Sequence, residues 1–225
     1  MTLSHPVVFL LDDDASALTI LARMLQASGF VIRTWTQAAE FLAAHDGDTP
    51  GCLVTDIRTP GTSELQVQRA LAARGIERPV VYITGVGDIR ATVQAMKAGA
   101  VSCLARPVRR AELIAAVCEG IAKDVARRAR CCQHQELSGR LARLTPRERQ
   151  VLGLLASGML NKQIAAELGR SEKTIKVHRG RVMEKMQVRT ATALVRLLSR
   201  AGHINLDTGW HGSSPDTQSA MLSKE

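Results

Sequence analysis

Five short strand-like runs in the first 105 residues, most of them apolar and halted by a polar residue, constrain this chain more than any other feature. VVFLL (Val7–Leu11) stops at Asp12-Asp13-Asp14, and Val31–Trp35 forms a second run. Cys52–Thr55 stops at Asp56, Pro79–Ile83 at Thr84-Gly85, and Val101–Leu104 just short of Arg106-Pro107. A strand with no polar alternation must be covered on both faces, which is the condition of a parallel sheet between two helical layers. Helical patterns fill the gaps: one ends at Ser28-Gly29, two cover Glu64–Arg74 and Asp88–Ala98, and another starts near Arg110. The expectation for residues 1–125 is an α/β domain, a doubly wound five-stranded parallel sheet of flavodoxin-like order.

The helix from Arg110 carries an apolar stripe at Leu113, Val117 and Ile121, with Val125 as an optional continuation. Arg127-Arg128-Ala129-Arg130 and a polar stretch to Gly139 follow. Residues 126–142 therefore read as a linker, helical at its start. Residues 143–203 read as a small all-α domain. Thr145 precedes Pro146 and Glu148, the pattern of a capping box with Pro at the first helical position. A second short helix ends at Gly169, Ser171 caps a third running to about Met186, and a last helix, Ala191–Arg200, carries Leu194, Leu197 and Leu198. Two helices joined by a tight Gly-containing turn, the second one basic, describe a helix-turn-helix. Residues 204–225, with Gly209, Gly212, Ser213, Ser214 and Pro215 and no periodicity, are expected to be a disordered tail.

Charge divides along the same line. Residues 1–125 hold 12 Lys/Arg against 13 Asp/Glu, whereas residues 126–225 hold 18 against 8. A basic half joined to a neutral one suggests a polyanion-binding module attached to a regulatory one. No apolar run approaches the roughly 18 residues of a membrane span, and the N-terminus lacks the pattern of a secretory signal. A cytoplasmic protein with no membrane partner is expected. Cys52, Cys103 and Cys118 lie in apolar context and read as small core residues. Cys131 and Cys132 are adjacent, near His134, but no second pair supplies zinc spacing, which leaves a redox role open to them.

Ligands of an open parallel sheet bind at the carboxyl ends of the strands, near the point where strand order reverses. Asp12, Asp13, Asp56, Thr84 and Arg106 fall there. Three carboxylates converging in one pocket need a counter-ion, and oxygen-only donors point to Mg²⁺. A metal, a carboxylate, a hydroxyl and a cation together suit phosphoryl transfer onto the carboxylate, with Asp56 as acceptor.

VVFLLDDDASALTILARML, CLVTDIRTPG, VVYITGVGD and AMKAGAVSCLARPV resemble the receiver domain of bacterial two-component response regulators. The stretch from Leu144 resembles a LuxR-type helix-turn-helix, so that residues 5–203 together resemble the NarL/FixJ family, FixJ-like branch. The resemblance implies Asp12 and Asp13 as an acidic metal pair, Asp56 as phosphoacceptor, the backbone carbonyl of Arg58 as a further metal ligand, and Thr84 as the hydroxyl that senses the phosphoryl group. Three positions depart from the family pattern. Arg106 stands where the family has Lys, Cys103 stands where it has a switching aromatic, and Thr59-Pro60-Gly61-Thr62-Ser63-Glu64 replaces a loop that has Met before Pro and ends in Gly. Lys is a compact charge and Arg a planar fork, so the first exchange is not neutral.

In the basic helix, Ile175, Val182 and Met186 should face inward, with Lys173, Thr174, Lys176, Val177 and Arg181 on the other side. By resemblance, Lys176 and Val177 would read base edges, and His178, Arg179, Arg181 and Lys185 would contact phosphates. Gly180 in a helix interior costs about 1 kcal/mol relative to Ala, which close approach to DNA would explain. The resemblance implies a DNA-binding transcriptional regulator, not an enzyme, with double-stranded operator DNA, a sensor histidine kinase and RNA polymerase as partners. It implies a homodimer on activation, formed through the last helix or through the Asp88–Ala98 helix and the fifth strand. A regulator governed by ligand or redox state, through Cys131 and Cys132 or the altered pocket, is the alternative. A phosphatase or phosphotransferase lacks a second acid/base beside Asp56 and leaves the DNA module without a role.

Overall fold

The computed structural model describes residues 5–56, 64–85, 88–205 and 209–210, and divides into two compact units, Met1–Ala129 and Arg130–Glu225. The first unit runs β1 (Val7–Leu11), α1 (Ala15–Gln26), β2 (Val31–Trp35), α2 (Ala38–Ala44), β3 (Gly51–Asp56), α3 (Glu64–Ala73), β4 (Val80–Thr84), α4 (Ile89–Lys97), β5 (Ser102–Ala105) and the start of α5 (Arg110–Ala142). All strand pairs are parallel, in the order β2-β1-β3-β4-β5. This is the doubly wound sheet expected from the sequence.

Successive strand residues point to opposite faces. Val8, Leu10, Cys52, Val54, Val81 and Ile83 meet Leu18, Leu21 and Leu25 of α1 and Leu113 and Val117 of α5. Val7, Phe9, Leu11, Leu53, Val80 and Tyr82 meet Phe41 of α2, Val67 and Leu71 of α3 and Ala95 of α4. Both faces are therefore covered along the central strands. β2 has no residue in the fully buried class, and it carries Arg33 and Thr34 as a half-wet edge strand does. At Gly120, a Cβ would stand 2.5 Å from the Cys52 Sγ, so this glycine lets α5 close on β3.

Several expectations need correction. α2 is a helix to which no expectation from the sequence corresponds. Cys118 is exposed, because it sits one step around α5 from the buried Val117. Val125, the optional end of the stripe, is also exposed. The stretch 126–142, expected to be helical only at its start, is helix throughout. Within it, Arg127 and Arg128 donate to the wholly buried Asp124, at 2.9 and 2.7 Å. Arg128 also donates to the carbonyls of Gly47 and Asp48, at 2.6 and 2.9 Å. Asp124 further accepts from the Gly51 N–H at 2.9 Å and from buried Arg78 at 3.4 Å.

The second unit contains the end of α5, then α6 (Pro146–Ala156), α7 (Asn161–Glu167), α8 (Glu172–Lys185), α9 (Ala191–Arg200), β6 (Ile204–Asn205) and β7 (Gly209–Trp210). Its core gathers Leu137, Leu144, Val151, Leu152, Leu155, Ile164, Ile175, Val182, Met186, Leu194, Leu198 and Ile204. Ile204, placed in the tail by the sequence reading, is buried, and its strand pairs antiparallel with Gly209–Trp210. The rest of the expected tail lies outside the described residues.

Candidate phosphoryl pocket and nucleic-acid interface

The sheet order reverses around β1, which has β2 on one side and β3 on the other. Leu11 lies opposite Thr55, so the residues that follow them, Asp12 and Asp56, emerge side by side at the carboxyl edge. Thr84 ends β4 and Arg106 follows β5, where its backbone N–H donates to the Thr84 carbonyl at 2.9 Å. The Arg106-Pro107 peptide is cis.

Arg106 joins the two acids. Its Nη2 donates to Asp12 Oδ2 at 2.8 Å and to Asp56 Oδ2 at 2.6 Å. The other oxygen of Asp12 accepts the Asp14 N–H at 2.9 Å, and Asp14 caps α1 by accepting from the Ser16 N–H. Burial pushes the Asp12 carboxyl above its ordinary value, outweighing the Asp14 N–H and the Arg106 charge that pull it down. Partial burial works against the Arg106 charge, but Asp56 and Asp12 more than compensate and hold the guanidinium protonated. Thr84 is buried, and Asp13 is exposed. Cys103 lies opposite Tyr82 and is half-buried on the same side of the sheet, where burial raises its thiol pKa. Tyr82 donates its hydroxyl to Gln68 of α3 at 3.0 Å, and Gln68 donates to the Ala98 carbonyl at the end of α4. Arg58 and the loop 59–63 lie outside the described residues, as do the side-chain surroundings of Glu64.

Asp12, Asp13 and Asp56 are oxygen donors of the kind Mg²⁺ takes. Their arrangement does not fit one, because a guanidinium nitrogen holds an oxygen of both Asp12 and Asp56. Among the described residues, no three His, Cys, Asp or Glu side chains gather closely enough to hold a metal ion.

The second site is built on α8. Thr145 and Glu148 form the full capping box that starts α6, and Ser171 caps α8 through the Thr174 N–H. Ile175, Val182 and Met186 are buried, which fixes the rotation of α8. Lys173, Lys176, Val177, Gly180 and Arg181 then form one exposed stripe at helical spacing. A Cβ on Gly180 would meet no atom within 4 Å, so packing within this chain does not require glycine there. Lys176 lies 3.9 Å from Glu172, an exposed pair of little strength. Thr174, His178 and Arg179 are half-buried; Thr174 bonds to the Ser171 hydroxyl and Arg179 donates to Asn161 at 3.0 Å.

Lys185, expected as a phosphate contact, is engaged within the domain. Its ammonium donates to Glu148 Oε2 at 2.6 Å and to the Arg143 carbonyl at 3.1 Å. Burial acts to raise the Glu148 pKa, but Lys185 and the Thr145 N–H outweigh it and hold the carboxyl below its ordinary value. Glu148 thus closes the cap and anchors α8 to α6, a double duty that its place in the capping box half-announced. Cys131 and Cys132 are free thiols on consecutive exposed positions of α5.

Comparison with known proteins matches the receiver domain of response regulators at residues 8–118 and the luxR family of bacterial regulatory proteins at residues 142–198. Nodulation protein W of Bradyrhizobium diazoefficiens is 40% identical over 196 residues, covering 87% of this chain and 86% of that protein. The transcriptional regulatory protein FixJ of Azorhizobium caulinodans is 40% identical over 195 residues, 87% of this chain and 92% of that one. Among solved structures, the response regulator StyR superposes with a TM-score of 0.80 at 41% identity, over 87% of this chain and 99% of that one. The likeness runs through both units in the same order, and the chain belongs to the NarL/FixJ family of two-component response regulators, DNA-binding transcriptional regulators that join a receiver domain to a LuxR-type helix-turn-helix.

Proposed function

We propose that this regulator takes a phosphoryl group on Asp56 from a partner sensor histidine kinase and then binds operator DNA as a dimer through α8. The observation that carries the reading is the placement of Asp12, Asp56, Thr84 and Arg106 together at the carboxyl edge where strand order reverses. In the transfer, an Asp56 oxygen attacks the phosphorus of a phosphohistidine. The P–N bond breaks, the imidazole leaves with the bonding pair and takes a proton, and an acyl phosphate remains. Arg106 is the cation positioned to meet the new phosphoryl oxygens, and Thr84 is the hydroxyl proposed to report their presence. Mg²⁺ is the cofactor that the donor chemistry suits, although not in the present arrangement of the donors.

The receiver is proposed to span residues 1–125 and the DNA-binding domain residues 143–203. RNA polymerase is the expected downstream partner, and the cytoplasm the expected compartment. Among the described residues, no helix is long and apolar enough to cross a membrane. The likeness of both halves to phosphorylation-controlled regulators disfavours control by ligand or redox state. The test is incubation with acetyl phosphate and Mg²⁺, read by intact mass: the parent should gain one phosphoryl group and Asp56→Asn none. An unchanged parent mass, under conditions that label another receiver, would overturn the assignment.

At the DNA, Lys176 should discriminate between sequences, whereas Arg181 should contribute affinity that depends on salt. A direct base contact is worth about 1–3 kcal/mol of discrimination, and loss of a phosphate contact should reduce the salt slope by about one. Lys185→Ala should instead weaken the fold of the helix-turn-helix, by about 1–3 kcal/mol, because it strips a buried carboxylate of its ammonium. Operator and scrambled DNA binding across a salt series, with thermal unfolding of each variant, separates these roles. Equal losses of Lys176→Ala on both DNAs would make Lys176 a backbone contact. An unchanged melting temperature for Lys185→Ala would return that residue to the DNA surface.

A further inference from the structure

We infer that Arg106 is a built-in counter-ion that competes with the divalent cation for the acidic pocket, so that metal binding requires the guanidinium to swing out. The inference rests on the reading of the carboxyl edge as the phosphoryl pocket, and it concerns how that pocket is regulated.

One nitrogen carries the argument. Arg106 Nη2 touches Asp12 Oδ2 and Asp56 Oδ2 together, at 2.8 and 2.6 Å. Asp12 and Asp56 are also the carboxylates that would hold a divalent cation, so cation and guanidinium would draw on the same two acids. A guanidinium at these distances and a divalent cation on the same carboxylates repel each other, so each weakens the other's hold. Charge makes the contest real, because the paired carboxylates repel each other unless something positive stands between them. Arg106 meets that need without metal. Its guanidinium cannot be neutralised by deprotonation, so the plug stays charged at every working pH.

The exit is open. The Arg106 side chain is 37% exposed, whereas Asp12 is 2% and Asp56 17% exposed, so the acids stay while the arginine can turn to solvent. Two states follow, arginine in and arginine out, and the cation binds only the second. Its apparent affinity falls by the fraction of molecules in the open state. If the open state is populated at about 10% or less, the penalty is at least about tenfold. A lysine at this position, with one compact ammonium and no planar fork, would bridge the acids less rigidly. The Arg at residue 106 then raises the Mg²⁺ concentration at which the pocket becomes competent, and once Asp56 is phosphorylated the displaced fork is free to grip the phosphoryl oxygens.

The experiment is calorimetric titration of the full chain with Mg²⁺ and with Mn²⁺, for the parent, Arg106→Gln and Arg106→Lys, with melting temperatures recorded in chelator and in saturating Mg²⁺. Arg106→Gln should bind the cation at least about tenfold more tightly than the parent, with Arg106→Lys in between. Arg106→Gln should also melt lower than the parent in chelator and recover more when Mg²⁺ is added, because its acids lack the built-in cation. Should Arg106→Gln be too unstable to titrate, Arg106→Lys alone decides by the sign of its affinity change. Equal or weaker affinity in the variants, or no cation binding in any of the proteins, overturns the inference. Acceptance of phosphate by Asp56 is read separately by mass, so the competition can fail while the phosphoacceptor assignment stands.

Discussion

Asp124→Ala should lower the melting temperature of the receiver transition by about 10–20 °C, the largest single-residue effect on stability expected in this chain. Asp124 is wholly buried and answers three arginines and one backbone N–H. Burial alone would raise its pKa, but Arg127, Arg128, the Gly51 N–H and Arg78 overcome that and hold the carboxyl below its ordinary value. Removing the carboxylate leaves the Arg78 guanidinium, whose side chain has no exposure, without its opposite charge. Breaking a buried pair from one side costs about 3–5 kcal/mol, because the remaining charge has lost its compensation. Phe9 softens the loss only slightly through its ring face, 4.9 Å from the Arg78 guanidinium carbon. Asp124→Asn keeps the size and one acceptor oxygen, so it should fall between the parent and Asp124→Ala. Calorimetry of the three full-length proteins is the measurement, and a fall of less than about 2 °C for Asp124→Ala would mean that the cluster contributes little.

That cluster also shows where reading the sequence stops. Four of the five strands were legible because short apolar runs alternating with helical patterns read as sheet interior, and the polar residues that halt them mark the carboxyl edge; β2, with Arg33 and Thr34, was legible by its β-branched and aromatic residues. The same logic puts Asp12, Asp56, Thr84 and Arg106 at that edge. The caps at Thr145 and Ser171 were legible because capping is local chemistry. Much of what escaped depends on partners that only the fold brings together. Arg127-Arg128-Ala129-Arg130 looks like solvated linker until Asp124, one turn back, and the carbonyls of Gly47 and Asp48 are brought to it. Lys185 looks like a cation for phosphate until Glu148, 37 positions away, receives it. α2 escaped because it is seven residues long and mostly alanine, with Phe41 as its one large buried side chain. In the acidic pocket the residue types were legible, but not that Arg106 would lie between the two acids.

Acid should cost the receiver about 3 kcal/mol between roughly pH 6.5 and pH 4 through one histidine. His45 is buried at 7% exposure, and its Nε2 accepts from Arg78 at 3.1 and 3.3 Å. An arginine only donates, so this nitrogen must be unprotonated and the neutral ring carries its proton on Nδ1, which finds no partner among the described residues. Burial, and then the charge of Arg78, lower the His45 pKa to about 4; Arg128 and Arg33 act in the same direction and Asp46 against them. The unfolded chain keeps an ordinary histidine near 6.5, so between the two values the unfolded state binds more protons and stability falls with pH. Above that window the contribution is complete; below about pH 4 it is gone. Asp46, Asp124 and Glu148, whose carboxyls are held low, surrender their contributions only at more acid pH. His45→Gln keeps an acceptor near the Nε2 position without a titrating group, so its stability should change little from pH 6.5 to pH 4.5 while the parent declines. Urea unfolding of both proteins across that range is the check, and parallel curves would remove His45 as the cause.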